Sequence, residues 1–259
     1  MPPITADDHV LAARLAAEAG HALVELRARL AGHGVDGKAL GQEGDRAAHD
    51  LLMRRLAELR PADAVLSEEG VTEGRDPARL AAERVWIVDP LDGTREFGDV
   101  PRTDWAVHVA LVVAGDPAAG AVALPARGLT LATDRPPTLP PPPPLAIGGT
   151  VRVVVSRSRP PAEAPSIAEA LDGEVVTLGS AGAKAMAVVL GEAEVYAHSG
   201  GQYEWDSAAP VAVARAAGLH ASRLDGSPLV YNRPDPYLPD LLICRPELAR
   251  RVITAVTSG

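Results

Sequence analysis

Val85-Trp86-Ile87-Val88-Asp89-Pro90-Leu91-Asp92-Gly93-Thr94 is the stretch on which the reading of this chain turns. Residues 85–88 are an apolar run of the length and composition of a buried strand. Asp89 therefore leaves the sheet from a fixed position, where Pro90 fixes φ and removes a donor. The chain turns, so Asp89 and Asp92 can converge on one point, and the Leu91 carbonyl can face it too. Gly93 permits close approach of a ligand to the backbone. If the next segment is helical, the amides of Gly93 and Thr94 form an anion site.

Two more acidic groups stand at element ends. Glu68 and Glu69 follow a short strand over residues 64–66, and Asp206 opens a helix after Trp205. Taken singly, an Asp-Gly pair reads as a turn, Glu68-Glu69 as a solvated loop and Asp206 as a favourable helix-start charge. Together they are acidic groups that each follow a buried strand or start a helix. Carboxylates and a carbonyl gathered in one place repel one another and need a hard cation, and oxygen-only ligands suit Mg²⁺. The whole-chain charge fits this picture. With 25 basic and 34 acidic side chains the net charge is −9. Such a field does not attract nucleic acid, and it repels a small phosphate unless a local cation cancels it.

The rest of the chain frames the motif. Its 259 residues, 47% hydrophobic and 23% charged, allow one large domain or two small ones. Thr5 with Asp8 predicts a helix N-cap, and Leu11, Leu15, Ala19, Ala22, Leu26 and Leu30 predict the amphipathic helix that follows. Glycines 32, 34 and 37 end it. A second helix is predicted over 45–59, then strands over 64–66, 85–88, 105–113, 120–124 and 128–133, an α+β half. The prolines between 135 and 149 predict an extended segment, read as a stiff connector in preference to a ligand for a proline-binding partner. After it, strands (151–155, 175–178, 194–197, 241–244) alternate with helices (162–171, 181–190, 206–217, 246–256), an α/β half. The expected organisation is an N-terminal α+β subdomain over 1–135 carrying the metal site, a connector over 136–149, and a C-terminal α/β subdomain over 150–259. The lone Cys244 sits in an apolar strand and reads as a core residue. The N-terminus has no apolar signal segment and no run is long enough to span a bilayer, so a cytoplasmic protein is expected.

The motifs also resemble a known family. Residues 86–94 look like the first signature of the inositol monophosphatase superfamily, Glu204-Trp205-Asp206-Ser207-Ala208-Ala209-Pro210 resembles its second, and Ser67-Glu68-Glu69 is similar to its Gly-Glu-Glu element. Arg95-Glu96-Phe97, Ser156-Arg157-Ser158-Arg159 and Gly179-Ser180-Ala181-Gly182-Ala183-Lys184 resemble its CysQ branch, the 3′(2′),5′-bisphosphate nucleotidases, particularly the actinobacterial ones. The resemblance implies a layered αβαβα sandwich, dependence on two to three Mg²⁺ ions, inhibition by Li⁺, and cleavage of 3′-phosphoadenosine 5′-phosphate to AMP and phosphate. It implies that Glu68, Asp89 and the Leu91 carbonyl hold one ion, that Asp89, Asp92 and Asp206 hold a second, and that Glu68 with waters oriented by Asp45 holds a third. Thr94 with Glu68 would orient the attacking water, and Gly93 and Thr94 would receive phosphate oxygens. Arg95 belongs to the substrate side. Lys184 matches a basic residue that grips the second phosphate in this branch; Arg159 stands where a His is common and His198 where an Arg is common. A homodimer is common among such proteins, and no interface is readable in the sequence.

The expected chemistry is direct in-line hydrolysis, because the carboxylate set comes with no partnered nucleophile. The same metal core would serve inositol-1-phosphate or fructose-1,6-bisphosphate, which Arg95-Glu96 and the Arg159, Lys184, His198 set disfavour. A non-catalytic metal-binding scaffold is the reading from another class, and the intact Glu68, Asp89, Asp92, Thr94 and Asp206 argue against it.

Overall fold

The structure is a computed structural model that describes residues 4–70, 78–141 and 150–257. Helix α1 (Ala6–Gly32) starts where the Thr5–Asp8 pair predicts, with the Thr5 amide donating to Asp8 Oδ2 at 3.0 Å. Asp8 is buried and also receives the guanidiniums of Arg60 and Arg84. Burial pushes this carboxyl up, but Arg84, Thr5 and Arg60 outweigh it and hold Asp8 well below the usual carboxylate range.

Helix α2 spans Gly37–Leu59, so it begins two turns before the predicted start at Asp45. The glycines of Gly37-Lys38-Ala39-Leu40-Gly41-Gln42-Glu43-Gly44 lower helix propensity and hide those turns. Packing explains their presence. A Cβ on Gly44 would lie 2.8 Å from a Leu91 methyl and 2.7 Å from the Phe97 ring.

Strands β1 (Ala64–Ser67), β2 (Arg84–Asp92), β3 (Ala106–Val113), β4 (Asp116–Leu124) and β5 (Leu129–Ala132) form one sheet in that order, parallel between β1 and β2 and antiparallel beyond. A short helix, α3 (Ala78–Ala81), interrupts what reads as loop. The second sheet contains β6 (Val151–Ser156), β7 (Gly173–Leu178), β8 (Val195–Tyr203), β9 (His220–Ser222) and β10 (Tyr237–Cys244) in the order β7-β6-β8-β10-β9. β6 runs parallel to β7 and β8, whereas β10 is antiparallel to β8 and β9. The alternating pattern of this half thus yields a mixed sheet, and β9 has no counterpart in the sequence reading.

Among the described residues five α-helices remain: α4 (Thr94–Gly98), α5 (Ala164–Ala170), α6 (Ala181–Val189), α7 (Glu204–Ala216) and α8 (Ala249–Thr257). Strand alternation sorts the cores. Trp86 and Val88 of β2, with Val107, Val109 and Leu111 of β3, face α1 and α2. Val85 and Ile87, on the opposite face, join α6, α7 and the inner face of the second sheet. Val151, Val153 and Val155 of β6 pack outward on α5 and α8, together with the buried Cys244, whose thiol burial pushes up to about 12. The layers run α1–α2, sheet, α6–α7, sheet, α5–α8, which is the αβαβα sandwich that the resemblance implies. In the proline stretch, residues 136–141 carry no regular structure and residues 142–149 lie outside the described residues. Among the described residues no helix is long and apolar enough to cross a membrane.

Candidate active site

The expected turn after residues 85–88 is a bulge. β2 continues to Asp92, with Asp89 opposite His108 and Asp92 opposite Ala106, and Pro90 and Leu91 occupy the irregular step between. Asp89 therefore stays in the sheet, and its Oδ1 accepts the Leu91 amide at 3.1 Å. Gly93 follows with φ of 87° and opens α4, so the segment beyond the motif is helical. Asp206, three residues after Tyr203, closes the start of α7 by accepting the Tyr203 amide at 2.6 Å. These three elements bring one carboxylate oxygen from each of Asp89, Asp92 and Asp206 within 4.8 Å of one another.

The charges on this cluster do not balance within the protein. Burial and then the neighbouring Glu68, Asp92 and Asp206 push the Asp89 carboxyl well above its ordinary value. Burial and Asp206 raise Glu68 to about 8, although its carboxyl also contacts that of Asp89. Burial and Asp92 raise Asp206 to about 6. Asp92 goes the other way. Its burial is outweighed by His108, whose Nε2 lies 3.2 Å from Asp92 Oδ2, by Lys184 and by Ser180. The amides of Ala181 and Gly182, at 3.1 and 2.6 Å, add the first turn of α6 to this set. Asp92 thus stays ionised while its neighbours are pressed toward protonation. An all-oxygen cluster with uncompensated negative charge is what a hard divalent cation fits.

Thr94 Oγ1 lies 3.1 Å from both Asp45 Oδ1 and the Leu91 carbonyl oxygen. Burial, followed by Glu69, raises Asp45 to about 7. The sequence expectation paired Thr94 with Glu68; here Asp45 is the carboxylate at hydrogen-bond distance. The Leu91 carbonyl, expected as a metal ligand, keeps a second lone pair beside the one that Thr94 can use.

The cluster opens on a cleft of about 620 Å³, whose lining includes Glu68, Asp92, Gly93, Thr94 and Asp206 and the basic side chains of Arg95, Arg159, Lys184 and His198. Their states differ. Arg95 and Arg159 are exposed. Lys184 is buried, donates to the Ser180 carbonyl at 2.7 Å and to that of Gly179, and sits over the Tyr196 ring at 5.3 Å. Burial lowers its ammonium to about 8. His198 is held by the Gly201 carbonyl at 3.0 Å. Phe97 faces the core: it meets Trp105 edge-on at 4.9 Å, under the guanidinium of Arg27. Arg27 donates to the carbonyls of Phe97, Arg102, Glu96 and Asp99 and so fixes the end of α4.

Sequence reasoning missed several lining residues. Ser156, Ser158 and Ser180 lie in segments whose resemblance was noted, without a role. Glu96, weighed in the sequence only together with Arg95, lines the cleft from the motif's own helix. Tyr196 and Gln202 carried no signal. His108, behind the cleft against Asp92, reads as one polar residue in an apolar strand.

Comparison with known proteins places these features in context. The sequence profile of the inositol monophosphatase family matches residues 7–258. The chain is 53% identical over 249 residues to a 3′-phosphoadenosine 5′-phosphate phosphatase of Mycobacterium bovis, covering 93% of this chain and 90% of that protein. It is 32% identical over 219 residues to the 3′(2′),5′-bisphosphate nucleotidase CysQ of Escherichia coli K12, covering 75% and 80%. Among solved structures it is similar to CysQ from Bacteroides thetaiotaomicron, with a TM-score of 0.68 at 26% identity over 92% of this chain and 97% of the other.

Proposed function

This chain belongs to the inositol monophosphatase family and is a phosphatase, and we propose that it removes the 3′-phosphate of 3′-phosphoadenosine 5′-phosphate with the help of Mg²⁺. The observation that carries the reading is the 53% identity, across nearly the whole chain, to a protein named for that reaction. The cleft supports it from the chemistry side, since two carboxylates of the acidic cluster and two exposed arginines line the same cavity.

Asp89, Asp92 and Asp206, with Glu68 and the Leu91 carbonyl, would hold the cation. When bound, Mg²⁺ supplies positive charge to the phosphoryl oxygens and lowers the pKa of water. The protein's own part is proton handling and positioning. Thr94 Oγ1 can accept a hydrogen bond from a water in the cleft while it donates to Asp45 Oδ1. Asp45, raised to about 7, can take the proton of the attacking water near neutral pH. Water attacks phosphorus, the bond to the ribose 3′ oxygen breaks, and that oxygen leaves as an alkoxide that takes a proton from solvent water. His108, Ser180 and the α6 amides keep Asp92 ionised and fixed through the cycle. Arg95 and Arg159, which line the cleft and are exposed, would meet a second phosphate.

The test is phosphate release with Mg²⁺ from 3′-phosphoadenosine 5′-phosphate, inositol-1-phosphate and fructose-1,6-bisphosphate, each with and without Li⁺. The nucleotide should be turned over at least about tenfold faster in kcat/KM than either other ester. Equal rates on all three would refute the nucleotide assignment.

A further inference from the structure

The inner wall of the cleft is built from one strand, β8, and its polar atoms are not used by the fold. Tyr196, His198 and Gln202 are each more than nine-tenths buried, and all three line the cleft. Among the described residues the Tyr196 hydroxyl, His198 Nδ1 and both amide atoms of Gln202 have no hydrogen-bond partner. Leaving several buried polar atoms unsatisfied costs about 1–3 kcal/mol each, so a wall of this kind is a wall made to be filled.

The strand is shaped for this purpose. Tyr196 and His198 are two apart and share a face. Gly200 and Gly201 then take φ of 89° and 91°, and the pairing with β10 slips between Leu238 and Asp240. That irregularity turns the Gly201 carbonyl onto His198 Nε2 and brings Gln202 to the same cleft.

The hydrogen-bond sense follows. A carbonyl oxygen only accepts, so His198 Nε2 carries the proton. Burial lowers the imidazole against the Gly201 hydrogen bond, and Lys184 and Arg159 add to the lowering, which favours the neutral ring with a lone pair on Nδ1. Gln202 offers a donor and an acceptor side by side, and Tyr196 a hydroxyl. A phosphate dianion presents only lone pairs: Tyr196 and Gln202 Nε2 could donate to it, but it would meet the lone pairs of His198 Nδ1 and Gln202 Oε1 head on. We propose that the Tyr196, His198 and Gln202 wall selects the neutral nucleoside part of the substrate, a group with a donor next to an acceptor such as the amino edge of adenine or the ribose 2′-hydroxyl beside the 3′ ester oxygen, and not its second phosphate. This rests on the nucleotide reading given above and alters the expectation that His198 grips phosphate. Lys184 uses two of its three donors on the Gly179 and Ser180 carbonyls, so the second phosphate is left to its third donor and to Arg95 and Arg159.

The test compares wild type with Gln202→Leu, and with Tyr196→Phe as a milder second variant, on three esters: adenosine 3′,5′-bisphosphate, adenosine 3′-phosphate and p-nitrophenyl phosphate. Gln202→Leu should lower kcat/KM about tenfold on both adenosine esters and leave p-nitrophenyl phosphate unchanged. The inosine analogue and the 2′-deoxy analogue separate the two sources: the one whose wild-type penalty disappears in Gln202→Leu carries the contacted group. A penalty confined to the ester with a 5′-phosphate would overturn the proposal, because the wall would then hold phosphate. An equal penalty on p-nitrophenyl phosphate, or none on any ester, would overturn it as well. If wild type releases no phosphate from any adenosine ester, the phosphatase reading fails, and calorimetric binding of adenosine to wild type and Gln202→Leu still reads the wall: equal affinities, or no binding by either, would overturn it.

Discussion

Gly41 is a glycine inside a helix, so a helix-propensity argument says that Gly41→Ala should stabilise the protein by about 1 kcal/mol. The structure argues the opposite for activity. A Cβ at Gly41 would stand 2.7 Å from Thr94 Cγ2 and 3.0 Å from the Thr94 carbonyl oxygen. To regain ordinary contact at 3.4 Å, Thr94 would have to give by about 0.7 Å. Asp45 sits one turn further along the same helix and would not move with it, so the displacement falls directly on the 3.1 Å contact between Thr94 Oγ1 and Asp45 Oδ1. Misplacement by about 1 Å at a reacting group costs on the order of 100-fold, so kcat should fall roughly 10- to 100-fold while KM changes little. Overpacking costs about 1–3 kcal/mol against the propensity gain, a net loss of at most about 2 kcal/mol or roughly 8 °C in Tm. The assay is phosphate release with saturating Mg²⁺ beside a thermal melt. The control is Gly32→Ala, at the end of α1, where an added Cβ meets nothing within 4 Å; its Tm should rise and its kcat stay the same. A Gly41→Ala protein with wild-type kcat and a raised Tm would refute the idea that α2 positions Thr94.

Three further outcomes follow from the charges. Asp89 is pushed up in the folded state, so its protonated form is the stable one without a cation, and stability is lost as pH rises through that raised value. Asp89→Asn should therefore melt about 2–6 °C above wild type in chelator at pH 8, while Mg²⁺-dependent turnover falls more than about 100-fold; an unchanged melting temperature counts against mutual repulsion in the cluster. Asp8 is held down, so its contribution is present above the ordinary aspartate value and lost as pH falls through the lowered one. Asp8→Asn should cost about 2–3 kcal/mol in urea unfolding at pH 7 and much less at the most acidic pH at which the wild type still folds; a gap that does not narrow on acidification rules out the ion pairs as its source. Arg27→Ala frees four carbonyls at the end of α4 and should cost about 2–4 kcal/mol, with Arg27→Lys recovering less than half; full recovery by lysine would mean that the charge alone, and not the forked geometry, holds the loop.

The parts legible in the sequence are those whose signal is local. Residues 85–88 read as a strand because a run of four apolar side chains needs cover on both faces, and Thr5 with Asp8 read as a cap because both partners lie within one turn. The acidic residues were legible as a set because each stands at the end of such an element. What escaped depends on groups distant in sequence. Asp45 and Thr94 are brought together by two elements, and nothing in either segment names the other. His108 reads as an intruder in an apolar strand until Asp92 is seen beside it, held across the bulge that lets β2 run on past Asp89. Glycine shows the difficulty most clearly. By propensity Gly41 and Gly44 break a helix, and Gly200 and Gly201 end a strand. In the fold the first pair lets α2 close on Thr94 and Phe97, and the second pair takes positive φ so that β8 can turn Gln202 into the cleft. A glycine that costs local stability is kept where its missing side chain lets a neighbour close in, as Gly41 does for Thr94, or where the backbone needs a positive φ, as at Gly200 and Gly201, and in this chain both uses serve the proposed site.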